Sequence, residues 1–262
     1  MYLQRLLFNH IRIWSLEYLT TRAYTKGGSI SSLKSKIPLF DIDWTLLKGG
    51  ANNNIHHDAF DFALHTVYNQ PTASESEAMA QGKIDTQILI EVLKLHGVSE
   101  EEAKSKMPEA IKAMKDYFYT HADKGTFEPM PGVVDLLTDL KERGLPLGLL
   151  TGNMAEIGWE KLRRAGIKDY FSFGAFGSMA FKRVDLIKIA AEEASKVLDR
   201  QITVDELFIV GDSPLDIACA RDGGIPVIAI GAGHFKSHEL AHADLVLESL
   251  EEKDKILKFL SV

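Results

Sequence analysis

The sequence predicts an α/β protein built on a doubly wound parallel sheet with an inserted all-helical domain. Three observations carry that expectation. From Ile37 onward, short apolar runs alternate with amphipathic helix patterns, the rhythm of parallel strands joined by crossover helices. Three of the runs stop at polar loops, as strands do when their carboxyl ends open on a ligand crevice. The stretch from Asn52 to Phe127 breaks the rhythm, with several helix patterns and no convincing strand.

Taken in order, Ile37-Pro38-Leu39-Phe40 reads as a buried strand running into Asp41-Ile42-Asp43-Trp44-Thr45 and the loop signal Lys48-Gly49-Gly50. Helix patterns follow at Asp85 to His96 and Glu100 to His121, then at Gly132 to Arg143. The run Leu145 to Leu150 ends at Thr151-Gly152-Asn153, and a helix is expected over Ala155 to Ala165. A further helix spans Val184 to Leu198, and the run Glu206 to Val210 ends at Gly211-Asp212. Leu215 to Asp222 is helical, and Ile225 to Ile230 and Ala243 to Leu247 are the last two strands. The expected organisation is therefore a core of residues 37–51 and 128–262, a helical cap at 52–127, and an N-terminal extension at 1–36.

That extension differs in charge from the rest. It carries Arg5, Arg12, Arg22, Lys26, Lys34 and Lys36 against the single acid Glu17, and removing its net +5 from the chain's −7 leaves −12 for the remainder. An Arg-bearing, acid-poor segment with Ser29, Ser31 and Ser32 can be read as an organelle transit peptide or as a disordered extension without function. The expected location is cytoplasmic, or a mitochondrion or plastid if the segment targets. An acidic chain of 262 residues argues against nucleic acid as the main partner. No apolar run approaches the roughly 20 residues that cross a bilayer, so no membrane partner is expected. The one cysteine, Cys219, reads as a small buried thiol.

Residues two apart on a strand point the same way, so Asp41 and Asp43 start out aimed at one point. Like charges so placed need a cation or a proton to stabilise them. If the strands are parallel neighbours, Thr151-Gly152-Asn153 and Gly211-Asp212-Ser213-Pro214-Leu215-Asp216 open on the same edge, with Lys182-Arg183 before a helix as a source of positive charge. Carboxylates, a hydroxyl, a loop rich in N–H donors and a cation make a set suited to phosphoryl transfer.

These motifs, in type and order, resemble the haloacid dehalogenase superfamily from Ile37 to about Leu250. The family's Asp-x-Asp-x-Thr is matched by Asp41, Asp43 and Thr45, and its strand-closing Ser or Thr by Thr151. Its basic residue is matched by Lys182 or Arg183, and its Gly-Asp-x-x-x-Asp by Gly211, Asp212 and Asp216. The resemblance implies a Rossmann-like core with a small helical cap, and a Mg²⁺-dependent phosphomonoester phosphatase of the phosphoglycolate phosphatase-like branch. It implies Asp41 as nucleophile and Asp43 as acid/base. Asp41, Asp43 (through its carbonyl) and Asp212 are then metal ligands, with Asp216 supporting the metal's water shell. Thr151, Gly152 and Asn153 hold the phosphoryl oxygens, with Arg183 favoured over Lys182 as the cation. A phosphomutase acting on a sugar phosphate is the alternative, and a catalytically silent binding protein a more distant one. The expected partner is a small phosphorylated metabolite, and the chain is expected to be a monomer or homodimer.

Three features depart from this pattern or fall outside it. Trp44 stands where the family usually has a small residue, and it either lines the cavity or packs against the cap. His56, His57 and His65 fall in the cap's first helix pattern. Adjacent helix residues point about 100° apart, so His56 and His57 are expected to hydrogen-bond at the hinge or surface rather than share a metal. The segment Gly82-Lys83-Ile84-Asp85-Thr86 is either a substrate contact from the cap or a helix start.

Overall fold

The computed structural model describes residues 36–48, 54–78 and 80–261. The expectation for a targeting extension, and the loop Gly49 to Asn54 expected to resemble the hinge between core and cap, fall almost wholly outside the described residues.

Six parallel strands form one sheet: β1 (Ile37–Phe40), β2 (Gly148–Thr151), β3 (Phe173–Phe176), β4 (Leu207–Gly211), β5 (Val227–Ile230) and β6 (Leu245–Leu247). Their order is β3-β2-β1-β4-β5-β6. The chain builds outward from β1 in one direction, then returns to its other side at β4. The crevice at that reversal, outside the carboxyl ends of β1 and β4, is where an open α/β sheet binds ligands.

The strands are short and apolar, and their period of two divides the core between the faces. Phe40, Phe208, Val210, Ile228 and Ile230 join a cluster with α5 (Val133–Glu142) and α9 (Lys253–Leu260). Ile37, Leu39, Leu207, Ile209, Val227 and Ala229 face α7 (Asp185–Leu198) and α8 (Pro214–Gly223). β2 and β5 begin later than the apolar runs suggest, just beyond Pro146 and Pro226. Proline brings no N–H to a ladder, so pairing starts after it.

The strand β3 has no counterpart among the sequence expectations. It is Phe173-Gly174-Ala175-Phe176, buried throughout and paired to β2. Two of its four residues have little strand propensity, which hides it.

Between β1 and α5 lie α1 (Ile55–Thr66), α2 (Asp85–Leu95), α3 (Glu100–Ser105) and α4 (Met107–His121). The pattern read as one helix over Glu100 to His121 is thus two, with Lys106 between them and Pro108 in the first turn of α4. A proline cannot continue a preceding helix but fits the first turn of a new one. These helices have their own core, including Phe60, Leu64, Leu89, Leu93, Met114 and Phe118. Met154 and Ile157 join it from α6 (Ala155–Arg164) and the loop before it. Outgoing and returning connections run together: Lys48 donates its N–H to the Glu128 carbonyl, and Met130 donates to Leu46, each at 2.9 Å. Among the described residues no helix is long and apolar enough to cross a membrane.

Candidate active site

Asp41 directly follows β1, its N–H donating to the Val210 carbonyl of β4 at 2.9 Å. That register sets Asp41 beside Asp212, the first residue after β4. Asp216 comes from the first turn of α8. Its carboxylate accepts the Ser213 N–H (3.1 Å) and hydroxyl (2.6 Å), closing a capping box. Each of these three buried aspartates offers an oxygen within 4.8 Å of the others.

Burial raises Asp41 to about 6, with Asp216 adding to the rise and the nearby Arg183 opposing it. Burial, then Asp216 and Asp41, push Asp212 up to about 9. Like charges crowded out of water are what a bound cation relieves. An all-oxygen donor set suits a hard ion such as Mg²⁺. Both Asp216 oxygens already have partners, Oδ1 from Arg183 and Oδ2 from Ser213, so a cation at this cluster would lean on Asp41 and Asp212. Thr45 donates to Asp212 Oδ1 at 3.3 Å.

Arg183 is buried, 3.5 Å from Asp41 Oδ2 and paired with Asp216, and it donates to the Gly82 carbonyl at 2.9 Å. Its Nε is buried without a partner. Lys182 beside it is exposed and lies outside the cavity lining. Thr151 is fully buried at the end of β2 and accepts from Asn153 Nδ2 at 2.9 Å.

Asp43 occupies a different environment from Asp41. Lys161, on α6, donates to its Oδ2 at 2.7 Å and Oδ1 at 3.0 Å, and Asn153 Nδ2 donates to Oδ2 at 2.8 Å. Burial alone would raise its pKa, but Lys161 and these hydrogen bonds hold it below the usual carboxylate value. Nearby, Trp44 adopts a left-handed backbone (φ 63°), which explains why a small residue or glycine is the easier choice there. Its indole lines the cavity and meets the His234 ring edge-on, with centroids 4.8 Å apart.

A cavity of about 430 Å³ opens over Asp41, Asp43 and Asp212, with His56, Lys83 and Asp85 contributed by the helical insertion. The Gly82-to-Thr86 segment is clamped onto the sheet's loops. Asp85 donates its N–H to the Gly152 carbonyl at 2.9 Å, and its carboxylate accepts the Met154 N–H at 2.8 Å. At Gly152 any Cβ would lie 2.1 Å from the Lys83 carbonyl oxygen, so only glycine permits this approach. His57 bonds Glu75 at 2.7 Å, an interaction that raises its pKa.

The sequence motifs do not include Lys161, and they give His56 only a general hydrogen-bonding role. Lys161 could have been found. It lies four residues after Ile157 and three after Gly158, on the helix's buried stripe, where a lysine needs an anionic partner.

The fold and this acid-rich crevice define an α/β protein with an inserted helical cap over the switch point of its sheet. A sequence model of the haloacid dehalogenase-like hydrolase family matches residues 39–230, and the chain belongs to that family. It is 32% identical over 129 residues to a phosphoglycolate phosphatase of Chromobacterium violaceum, covering 49% of this chain and 56% of that protein. The chain thus matches little more than half the length of such curated relatives. Among solved structures, a predicted phosphatase from Clostridium acetobutylicum superposes with a TM-score of 0.62 at 22% identity, covering 86% of this chain and 99% of that one. A β-phosphoglucomutase from Clostridium difficile superposes with a TM-score of 0.63 at 19% identity, covering 87% and 97%. At these identities the structural likeness speaks for the fold.

Proposed function

We propose that this protein is a Mg²⁺-dependent phosphomonoester phosphatase acting on a small phosphorylated metabolite of the phosphoglycolate kind. The observation that carries the reading is the contrast between two neighbouring carboxylates. Asp41 faces Asp212 and Arg183, while Asp43 is held apart by Lys161 and Asn153. Carboxylates with such different surroundings suit different roles.

In this scheme an Asp41 oxygen attacks phosphorus, and the bond from phosphorus to the ester oxygen breaks as that oxygen takes, by way of Asp43, the proton that the monoanionic ester brings in. Water then attacks the aspartyl-phosphate, its proton going to Asp43, and Asp41 is released with inorganic phosphate. Arg183 and the N–H groups of the Thr151-Gly152-Asn153 turn hold the phosphoryl oxygens. Asp41, Asp212 and the Asp43 carbonyl would hold Mg²⁺, with Asp216 in support through Arg183 and Ser213. When bound, the cation offsets the repulsion between an anionic nucleophile and an anionic phosphate. A cavity of about 430 Å³ fits a small ester.

The test is phosphate release by the purified protein across phosphorylated metabolites, with 2-phosphoglycolate and sugar phosphates included. Mg²⁺-dependent release, strongest for small esters, is expected. Absence of release from the whole panel would refute the reading. Interconversion of sugar phosphates without net release would instead identify a mutase, the activity named for one protein that shares the fold.

A further inference from the structure

We infer that Lys161 is a positioning residue for the proposed acid/base Asp43, and that the helical cap completes its placement through His56 and Asp85. The role assumes the phosphatase chemistry proposed above.

The Lys161 side chain is 4% exposed, and its ammonium has three sets of acceptors. It donates to the Asp43 carboxylate, to Asn153 Oδ1 at 2.7 Å and to His56 Nδ1 at 3.2 Å. An ammonium has three hydrogens and accepts nothing, so these partners use its full capacity. None is left to hold substrate. What the geometry provides is a fixed direction for Asp43, whose Oδ2 also takes the Asn153 amide.

The same valence rule fixes His56. An ammonium only donates, so in this contact Nδ1 is the acceptor and Nε2 is the nitrogen that bears hydrogen. That Nε2–H donates to Asp85 Oδ2 at 3.0 Å, and the same Asp85 oxygen takes the Met154 N–H at 2.8 Å. A continuous chain therefore runs from Asp43 through Lys161 to His56 and Asp85 on the cap, then back to the sheet's loop. Its weak point is the crossing between Lys161 and His56, which exists only while the cap stays docked.

The helix α6 is built for this task. Gly158 is an unfavourable residue for a helix interior. A Cβ there would lie 3.0 Å from Phe176 and 3.1 Å from Ile42, the residue between the two aspartates. Its absence lets the helix approach the Asp41-Ile42-Asp43 turn. Ile157 on the same helix packs into the cap's core. One helix thus touches both the acid/base turn and the cap, and Lys161 lies on the face between them.

The test compares kcat/KM for two esters in the full chain with Mg²⁺. One is 2-phosphoglycolate, whose alkoxide must be protonated as it leaves. The other is 4-nitrophenyl phosphate, whose phenolate leaves without that help. Lys161→Met should lose about a hundredfold more on the first than on the second, the scale of a misplaced general acid. Millimolar methylamine should restore part of that loss. His56→Leu should show the same selective loss, but smaller, and serves as the second variant if thermal melting shows Lys161→Met unfolded. Equal loss on both esters in a folded variant, or no loss, would overturn the role of Lys161 alone. A wild type that releases phosphate from neither ester nor from any metabolite of the panel would overturn the phosphatase reading, and the role of Lys161 with it.

Discussion

At the scale of single residues, three side chains of the site have distinct expected behaviours. Asp41→Asn keeps the size and the strand-end backbone but removes the nucleophile. Turnover should fall at least about a thousandfold while the melting temperature holds or rises; a near-normal rate would remove Asp41 from the chemistry. Asp41 and Asp212 also make stability depend on pH. Their folded pKa values, about 6 and about 9, lie above the ordinary 3.8, so the folded state holds their protons more tightly. Their contribution is complete below about pH 4 and is lost as pH rises through 6 and then 9 in metal-free protein. A bound cation should reverse that loss, so the rise in melting temperature on adding Mg²⁺ should be larger at pH 8.5 than at pH 5.5. Equal shifts would mean the cation binds elsewhere. Trp44 offers a third measurement. Trp44→Ala and Trp44→Gly both lose the contact with His234, but only glycine relieves the left-handed backbone. Denaturant unfolding should therefore find the glycine variant about 1 kcal/mol more stable than the alanine one.

Among elements, what could be read in the sequence was what repeats or terminates abruptly. The runs ending at Asp41, Thr151 and Asp212 were legible because each is an apolar segment closed by a polar turn. The parallel sheet then brings those turns together. The strand Phe173–Phe176 was not, since Gly174 and Ala175 break the pattern and only the β2 ladder makes it a strand. The division at Pro108 was written in the sequence but outweighed by the helical periodicity on both sides. Arg183 and Lys182 were inseparable by type. Their separation, one buried against Asp41 and one exposed, depends on how the chain enters α7. Lys161 and His56 were missed as a pair because their contact joins residues 105 apart in sequence, on different elements. The docking of the cap segment also gives a prediction. Gly152→Ala would force a methyl group into the Lys83 carbonyl, so the segment must lift. We expect kcat/KM to fall about tenfold or more with the fold intact, because misplacing a site by about 1 Å carries penalties of that order. An unchanged value would show that this closed arrangement is not the reactive one.

For the whole molecule, a sheet core and a smaller helical core are joined through α6 and the paired connections at Lys48–Glu128 and Leu46–Met130. The chemistry lies between them, where a cavity of about 430 Å³ draws residues from both. Phe118 is fully buried in the helical core, and Phe118→Ala should destabilise the protein by about 3–5 kcal/mol in denaturant unfolding. Covalent capture of the aspartyl-phosphate tests the chemistry at Asp41 most directly. Rapid quenching during turnover with Mg²⁺ and 2-phosphoglycolate, followed by borohydride, would reduce an aspartyl-phosphate to homoserine. Peptide mass spectrometry should then find homoserine at position 41, and only when substrate and Mg²⁺ are both present. Phosphate release with no homoserine at position 41, or with capture at another residue, would contradict the account.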